Sequence, residues 1–250
     1  MLLDIPAEQV RDALDQVARE VLAEALIAAP PVDAFAMAAR LGLTVATDDD
    51  AAVRGRFVRL PNGRGGARPT ILVAPEPRPE RRHWAVAHEI GEWCAHRWFD
   101  ALQLDPADAP PAAREAVANC LASCLLLPAQ WFAADGAALD WDLVALKRRY
   151  ATASHELIAL RMLDMAPPIV ATLWDEGRVR WRRTNAAPRT PPVTPPERDA
   201  HAAAHRLGRP AQCDRAELPP GVADVRVWPV HEKHFRREIA RTELAEWDVA

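Results

Sequence analysis

An α+β fold is predicted for this chain, in which a small core of helices and a short sheet precedes a helix pair, a hairpin and a C-terminal extension. Three observations support this prediction. Apolar residues recur at helical spacing in several long segments, short alternating segments bounded by Pro and Gly are typical of strands, and 50% of the 250 residues are hydrophobic. A chain of this length can bury one large core or two smaller ones, so we expect one to two domains.

The bulk composition restricts the classes of protein to which the chain can belong. No apolar run reaches the roughly 18 to 20 residues of a membrane span, and residues 1–30 lack a signal-peptide pattern. The four cysteines offer no disulfide framework and are interpreted as small core residues. A net charge of -4 argues against a surface that coats nucleic acid. We therefore expect a soluble, cytoplasmic protein with no membrane partner and no direct nucleic-acid binding.

The first half of the chain contains the segments of the predicted core. Asp33 is a good helix cap, Gly42 ends the helix that follows it, and Pro128 stops the last one. The sequence Pro61-Asn62-Gly63 is typical of a hairpin turn. The predicted helices span residues 10–28, 33–42, 80–98 and 112–127, and the predicted strands span residues 43–45, 56–60 and 70–73.

The second half contains weaker patterns. Two short helices joined by a small-residue turn resemble a helix-turn-helix, with Ser154 as the cap of the second. Residues 186–200 are rich in Pro and Thr, which is typical of an extended linker. The predicted elements are helices at 140–150 and 154–165, a hairpin formed by 169–174 and 179–184, a strand at 225–230 and a helix at 233–247.

The most informative segment lies in the third predicted helix, where His88-Glu89 is followed by Glu92. A helix advances about 100° per residue, so positions 88 and 92 lie about 40° apart on one face and can share an ion. Glu89 stands beside them, where a carboxylate can accept a proton from water. This is the arrangement of the His-Glu-x-x-His signature, except that Glu92 replaces the second His. Carboxylate oxygen is an ordinary zinc ligand, so the pattern still predicts a metal site.

A third metal ligand is expected from the next helix. Glu115 and Asn119 lie one turn apart on a helix whose other face is apolar. Carboxylates are uncommon on largely apolar helices, so one at this position is expected to have a specific role. Glu115 is therefore the candidate ligand, with Asn119 as its neighbour on the same stripe.

These two motifs resemble those of the ImmA/IrrE family of metallopeptidases. The segments HEIGEWCAH and EAVANCLASCLLLP are similar to the family patterns HE-x-G-H and E-x-x-AN-x-(F)A-x-x-LL-x-P, and the likeness covers roughly residues 30–185. The resemblance implies that His88 and Glu115 are metal ligands, that Glu89 is the catalytic base, and that Glu92 occupies the remaining ligand position.

The resemblance up to residue 185 and the sequence patterns beyond it together predict a domain organisation. Residues 1–135 would form a zincin-like metallopeptidase domain, and 136–185 the helix-turn-helix-like helices with the hairpin. Residues 186–200 would form the linker and 201–250 a C-terminal segment without an assigned role.

Glu92 changes the expected chemistry of the site. Two carboxylates and one imidazole neutralise a divalent ion, so the site should acidify water less than one with two imidazoles. We expect slower or more alkaline activity than the usual ligand set would give. Zn²⁺ is the expected ion, and oxygen-rich ligation also admits Mn²⁺ or Fe²⁺. Metal binding without turnover, and the loss of the metal altogether, are the alternatives.

Several other polar residues are weaker site candidates. His96 lies about 12 Å along the helix from His88, so it can support the ligands only from outside the coordination sphere. Tyr150 is the only tyrosine and could stabilise an oxyanion, although an ordinary core or surface position is the favoured interpretation. His201 and His205 have metal spacing, but a solvated helix face is the favoured interpretation.

The arginines of the second hairpin alternate with apolar residues. This alternation favours a solvated face of the hairpin over a nucleic-acid track. The arginines are Arg178, Arg180, Arg182 and Arg183.

The function expected from this sequence is a metal-dependent intracellular endopeptidase. By family resemblance its substrate is a helix-turn-helix transcriptional repressor, cleaved in a stress or mobile-element response. The alternative is a weakened or inactive member of the family that acts as a regulatory protein-binding or toxin-antitoxin component. DNA binding through the helix pair and the arginine hairpin is a third hypothesis, which the acidic balance disfavours.

Overall fold

The computed structural model describes residues 5–50, 54–61, 66–165, 167–186 and 189–245, and it confirms the predicted α+β fold. The described residues form two compact units. The N-terminal unit comprises Met1–Ala138 and Arg148–Ser154, and the C-terminal unit comprises Leu139–Lys147 and His155–Ala250. The boundaries at 135, 185 and 200 stay predictions.

No single helix among the described residues combines the length and apolar character needed to cross a membrane. One pair of helices, bent by 53° at a short break, has the required length and composition when taken together: Pro111–Leu126 and Ala129–Ala138.

The N-terminal unit combines helices with a three-stranded sheet. Its helices are α1 (Ala7–Glu24), α2 (Ala34–Arg40), α3 (Pro79–Ala101), α4 (Pro111–Leu126) and α5 (Ala129–Ala138), and its strands are β1 (Thr44–Thr47), β2 (Gly55–Pro61) and β3 (Ala67–Val73). Asp33 caps α2 as expected, since its side chain accepts hydrogen bonds from the backbone N–H groups of Phe35 and Ala36. The helix predicted at 10–28 ends earlier, at Glu24, and Leu26 beyond it has a φ of 53°.

Helix α5 was not predicted. Pro128 does follow the end of α4, but its carbonyl oxygen also accepts hydrogen bonds from the backbone N–H groups of Trp131 and Phe132. Proline lacks only an N–H that the first turn of a helix leaves unbonded, so it can precede a new helix as readily as it ends an old one. The chain therefore resumes as a helix directly after the proline.

The small sheet has the strand order β1-β3-β2. β2 and β3 are antiparallel, with Phe57 opposite Ile71, which confirms the predicted pairing, while the proposed turn Asn62-Gly63 lies outside the described residues. β1 runs parallel to β3. β2 is thus an edge strand, and it also contacts α3.

Further elements follow along the chain. These are α6 (Leu143–Arg149), α7 (His155–Met162), β4 (Ile169–Asp175), β5 (Arg178–Thr184), α8 (Pro195–Leu207), β6 (Ala211–Gln212), β7 (Val222–Glu232) and β8 (Phe235–Leu244). The strands form one antiparallel sheet in the order β5-β4-β8-β7-β6, and α8 packs on β7 and β8. The hairpin and the residues beyond 200 therefore share a sheet.

The helix predicted at 233–247 is wrong, because Phe235–Leu244 is strand β8. Its Arg, Glu, Ala and Leu residues favour helix locally, but β8 pairs with β4 on one side and β7 on the other. Pairing on both sides outweighs a weak local propensity.

The interpretation of 186–200 as an extended linker is wrong from Pro195 onward, where α8 begins. The two prolines occupy the first turn, which tolerates them, and Thr194 and Glu197 form a capping box.

Several side chains in the C-terminal unit are less solvated than predicted. His201 and His205 contact the buried Glu238, so the interpretation of a solvated helix face is wrong for both. Arg182 is likewise buried against Glu197, unlike the other arginines of β5.

The cysteine prediction holds only in part. Cys94 and Cys124 are buried as expected, while Cys213 is partly buried and Cys120 is exposed.

Candidate metal centre

Helices α3 and α4 approach each other closely at Gly91. A Cβ atom at this position would lie 2.7 Å from the backbone oxygen of Ala118 and 3.2 Å from Cβ of Leu121. Real side chains do not fit at the shorter distance, so only glycine permits this contact. Buried apolar residues of both helices, such as Ile90 and Leu125, fill the core beneath it. The polar side chains of α3 and α4 are consequently held side by side.

Four of the predicted site residues meet on the polar side of this helix pair. One ligand atom from each of His88, Glu89 and Glu92 lies within 4.8 Å of the others. Glu115 lies outside this closest group, but its Oε1 is 3.6 Å from Nε2 of His88. The folded chain thus brings all four together, while their assignment as ligands and base stays a prediction.

Asn119 holds Glu115 in place. Its Nδ2 donates to Oε1 of Glu115 at 3.1 Å and to the backbone oxygen of the same residue at 2.9 Å. The Glu115 side chain is 61% exposed, so little else restrains it. Asn119 therefore supports the position of Glu115 next to His88.

Glu89 is the buried acid of the group. The residue is 3% exposed, and Oε2 has no hydrogen-bond partner among the described residues. The backbone N–H of Phe57 in β2 donates to the same carboxylate. Burial, and then the charges of Glu92 and Glu115, raise the pKa of Glu89 to about 7, against the lowering effect of the Phe57 hydrogen bond. This is the protonation range in which a general base operates near neutral pH.

Gly55 of β2 makes room for this carboxylate. A Cβ atom at Gly55 would lie 2.8 Å from Oε1 of Glu89 and 3.1 Å from its Cγ. Any larger residue there must displace the acid. The strand therefore fixes Glu89 in two ways, by the N–H of Phe57 and by the space at Gly55.

The four residues lie in a cleft of about 810 Å³. Sequence reasoning identified the polar residues of its floor but missed those that complete its walls. The missed lining residues are Arg54, Gly55, Arg56, Phe57, Trp84, Ala85 and Trp93. Trp84 and Trp93 flank the motif in sequence and could have been suspected, whereas nothing in the sequence links β2 to Glu89.

The donor set fits a divalent cation. Three carboxylates crowd around one imidazole, and the repulsion among them adds to the effect of burial in raising the pKa of Glu89. A cation relieves such repulsion, and the combination of imidazole nitrogen and carboxylate oxygen is one that Zn²⁺, Mn²⁺ and Fe²⁺ all accept. The unpartnered Oε2 of Glu89 is also a buried polar atom that needs an explanation.

The two remaining candidates stand apart from the cleft. Nδ1 of the exposed His96 lies 3.2 Å from the backbone oxygen of Trp93, and its ring lines a separate depression beside Glu92 and Glu115. Tyr150 is fully buried against Phe132 and donates its hydroxyl to Asp135 at 2.8 Å. Burial and this bond raise its pKa far above the usual value. Tyr150 is a core residue, so its assignment as an oxyanion stabiliser is not supported.

Residues 38–162 match the family described as Peptidase_M78, an IrrE N-terminal-like domain. This stretch covers half of the chain and contains every residue of the cluster. Among solved structures, a Mycobacterium tuberculosis transcriptional regulator is similar in fold, with a TM-score of 0.64 at 19% identity over 96% of this chain and 81% of that one. A comparison with curated proteins finds no match.

Proposed function

This chain belongs to the ImmA/IrrE family of peptidases, and from that premise we propose that it is a metal-dependent endopeptidase with His88, Glu92 and Glu115 as ligands and Glu89 as catalytic base. The observation that carries the proposal is the meeting of a buried acid of raised pKa with three ligand-type side chains on the floor of one open cleft. Zn²⁺ is the proposed ion, with Mn²⁺ and Fe²⁺ as alternatives because two of the three ligands are carboxylates.

The roles of the side chains follow from their environments. A divalent ion held by these ligands would polarise the scissile carbonyl group and make water more acidic. Glu89 accepts the proton of the attacking water and returns it to the leaving amine nitrogen. The hydrogen bond from Phe57 orients the Glu89 carboxylate and leaves its Oε2 free for this transfer. Asn119 keeps Glu115 beside His88.

The proposed substrate is a protein, specifically a helix-turn-helix transcriptional repressor whose cleavage starts a stress or mobile-element response. Family membership supports this class of substrate. The cleft is open, has a volume of about 810 Å³ and is partly lined by Trp84 and Trp93, and we infer that it accepts an extended peptide segment. We place the activity in the cytoplasm, where the four free thiols would remain reduced.

Replacing Glu89 by Gln tests the proposal. The purified protein, loaded with Zn²⁺ or Mn²⁺, is incubated with a small helix-turn-helix repressor encoded next to its gene, and fragments are measured by mass spectrometry. We expect the Glu89→Gln variant to cleave about 10²- to 10⁴-fold more slowly, because the proton acceptor is gone. Asp100→Asn, the same acid-to-amide change at an exposed position of α3, should leave the rate unchanged.

A second function is favoured by Glu92, which stands where the family pattern has His. A site whose ligands neutralise the ion is a weaker catalyst, so the chain would bind its repressor without cutting it. In that case the Glu89→Gln variant and the wild-type protein would relieve repression equally well in cells. Loss of the effect with binding retained would instead favour catalysis.

A further inference from the structure

Four side chains of the C-terminal unit converge where α8 lies on the sheet. His201 and His205 stand one helical turn apart on α8, so they share a face. Glu238 lies in β8 opposite Pro229 of β7, and His231 is two residues beyond Pro229. Since side chains alternate along a strand, Glu238 and His231 point to the same side of the sheet. The cluster is therefore formed by three regular elements and no long loop.

The contacts within the cluster are short and all involve the Glu238 carboxylate. Its Oε2 lies 3.1 Å from Nε2 of His201. Its Oε1 lies 2.9 Å from Nδ1 of His205 and 2.6 Å from Nε2 of His231. One ligand atom from each of His201, His205 and Glu238 lies within 4.8 Å of the other two; His231 is not part of this closest group and joins it through its contact with Glu238. Three imidazole nitrogens are thus directed at one carboxylate.

The rings are held in place by packing. The indole of Trp174 stacks on His201 with 4.5 Å between ring centroids and an interplanar angle of 22°. Trp174 lies opposite Glu238 in the β4–β8 pairing, so both occupy the same row of the sheet. The His205 ring lies 5.8 Å from that of His201 and 6.0 Å from that of His231. Such fixed orientations are a requirement for a metal site.

Burial separates this cluster from a surface ion pair. The Glu238 side chain is fully buried, whereas the side chains of His201, His205 and His231 are 14%, 31% and 22% exposed. Glu238 is therefore enclosed by the fold and by three imidazole rings, unlike the carboxylate of an exposed ion pair.

We propose that His201, His205, His231 and Glu238 form a second metal site, which binds a divalent transition-metal ion. Imidazole nitrogen suits Zn²⁺, Ni²⁺, Cu²⁺ and Fe²⁺ better than Mg²⁺ or Ca²⁺. Ligand atoms about 2.1 Å from an ion are about 3.0 Å apart at right angles and about 3.4 Å apart in a tetrahedron, so the separations of 2.6 to 3.1 Å seen here would have to widen slightly around an ion. Hydrogen bonds from fewer imidazoles would already satisfy the carboxylate. The presence of three imidazoles around one acid is better explained by a bound metal ion.

The second site is separate from the cleft described above. All four of its residues lie outside residues 38–162, the stretch that matches the peptidase family. Its proposed ligands are three imidazoles and one carboxylate, whereas those of the first site are one imidazole and two carboxylates. The partly exposed histidines leave the ion reachable from solvent, so chelators should remove it.

Metal binding by four versions of the full chain tests the proposal. Wild type, His88→Ala, His201→Ala/His205→Ala and the combination of all three substitutions are dialysed against Zn²⁺, and the bound metal is measured by mass spectrometry. We expect the double histidine substitution to remove one equivalent of zinc, or to weaken its binding at least about 100-fold, whether or not His88 is intact. The proposal is therefore tested independently of the proposed catalytic site. His234→Ala, at an exposed position in the two-residue turn between β7 and β8, is the matched control and should bind as wild type does.

A second measurement uses unsubstituted protein, in case the variant fails to fold. Proton NMR should show the resonances of the three cluster histidines shifting on addition of Zn²⁺, besides that of His88, and an excess of EDTA should reverse these shifts. Equal zinc content and affinity in wild type and a folded His201→Ala/His205→Ala variant would overturn the proposal. The proposal would also be overturned if Zn²⁺ left the resonances of His201, His205 and His231 unmoved.

Discussion

Both units of the molecule contain buried glutamates, but these differ in their hydrogen bonding and in the direction in which their pKa is shifted. In the N-terminal unit, Glu89 has one oxygen without a partner, and its pKa is raised to about 7. In the C-terminal unit, both oxygens of Glu197 and of Glu238 accept hydrogen bonds, and the pKa of each is lowered. All three side chains are excluded from water to a similar degree.

This difference distinguishes buried acids that stabilise the fold from a buried acid that is suited to a catalytic role. An acid whose hydrogen bonds are complete stabilises the fold and stays ionised. An acid that lacks hydrogen-bond partners and lies among like charges destabilises the fold and titrates near neutral pH. Such a loss of stability is typical of functional sites. The four predictions below test this distinction.

The largest effect is expected at Glu197. Its carboxylate receives both Nη atoms of Arg182, at 2.9 and 3.0 Å, together with hydrogen bonds from Thr194 and Thr242. Glu197→Ala leaves the arginine buried and unpaired, so the free energy of unfolding should fall by about 3 to 5 kcal/mol. Urea denaturation measures this loss. Glu217→Ala, at an exposed position of the same unit, should change stability by less than about 0.5 kcal/mol.

Glu238→Gln should cost somewhat less, on the order of 2 to 3 kcal/mol at pH 7 in the presence of a chelator. Because the folded-state pKa is lowered to about 2, this contribution is present above the unfolded-state pKa and is lost as the pH falls from about 4.5 towards 2. Denaturation of both proteins at several pH values follows the difference. If the difference in free energy of unfolding between the two proteins stayed constant down to pH 3, the charge of Glu238 would not be the cause of that difference.

Glu89→Gln should have the opposite sign. The folded-state pKa is raised to about 7, so wild type loses stability as the pH rises from about 4.5 to 7 and the acid ionises. In metal-free protein at pH 8, we expect the variant to be more stable by about 1 to 3 kcal/mol. Thermal unfolding with a chelator measures this gain, which should vanish near pH 4. A destabilised variant at pH 8 would place Glu89 with the structural acids.

The smallest effect on the fold is expected at Gly55. The Cβ of Gly55→Ala must displace the Glu89 carboxylate, so peptidase activity should fall about 10- to 100-fold while stability changes by less than about 1 kcal/mol. Activity and unfolding are measured on the same preparation. In a Glu89→Gln background the same substitution should cost no further activity, because the two changes act on one group. Additive losses would mean that Gly55 acts elsewhere.

The parts of the site that could be predicted were those encoded within single helices. His88, Glu89 and Glu92 are neighbours on α3, and Glu115 and Asn119 are neighbours on α4, so helical geometry and a known motif were enough to select them. Gly55 and Phe57 reach Glu89 from an edge strand more than thirty residues away in sequence, and no local pattern encodes that contact.

The same limit explains the errors in the second half of the chain. His201, His205, His231 and Glu238 are scattered over a helix and two strands, and each taken alone has an ordinary explanation. Strand β8 was mistaken for a helix because its residues favour helix when considered locally. Its identity depends on β4 and β7, which pair with it from both sides.

The close contact at Gly91 determines how the cleft can vary in evolution. Because α3 and α4 touch through their backbones, the separation between His88 and Glu115 is inherited from helix packing and not from the connection at 102–110. That connection is free to lengthen, shorten or accept an inserted domain while the two carboxylate-bearing helices keep their spacing. Diversification of this protein's relatives should therefore concentrate in the segments between the helices, and position 91 should stay fixed.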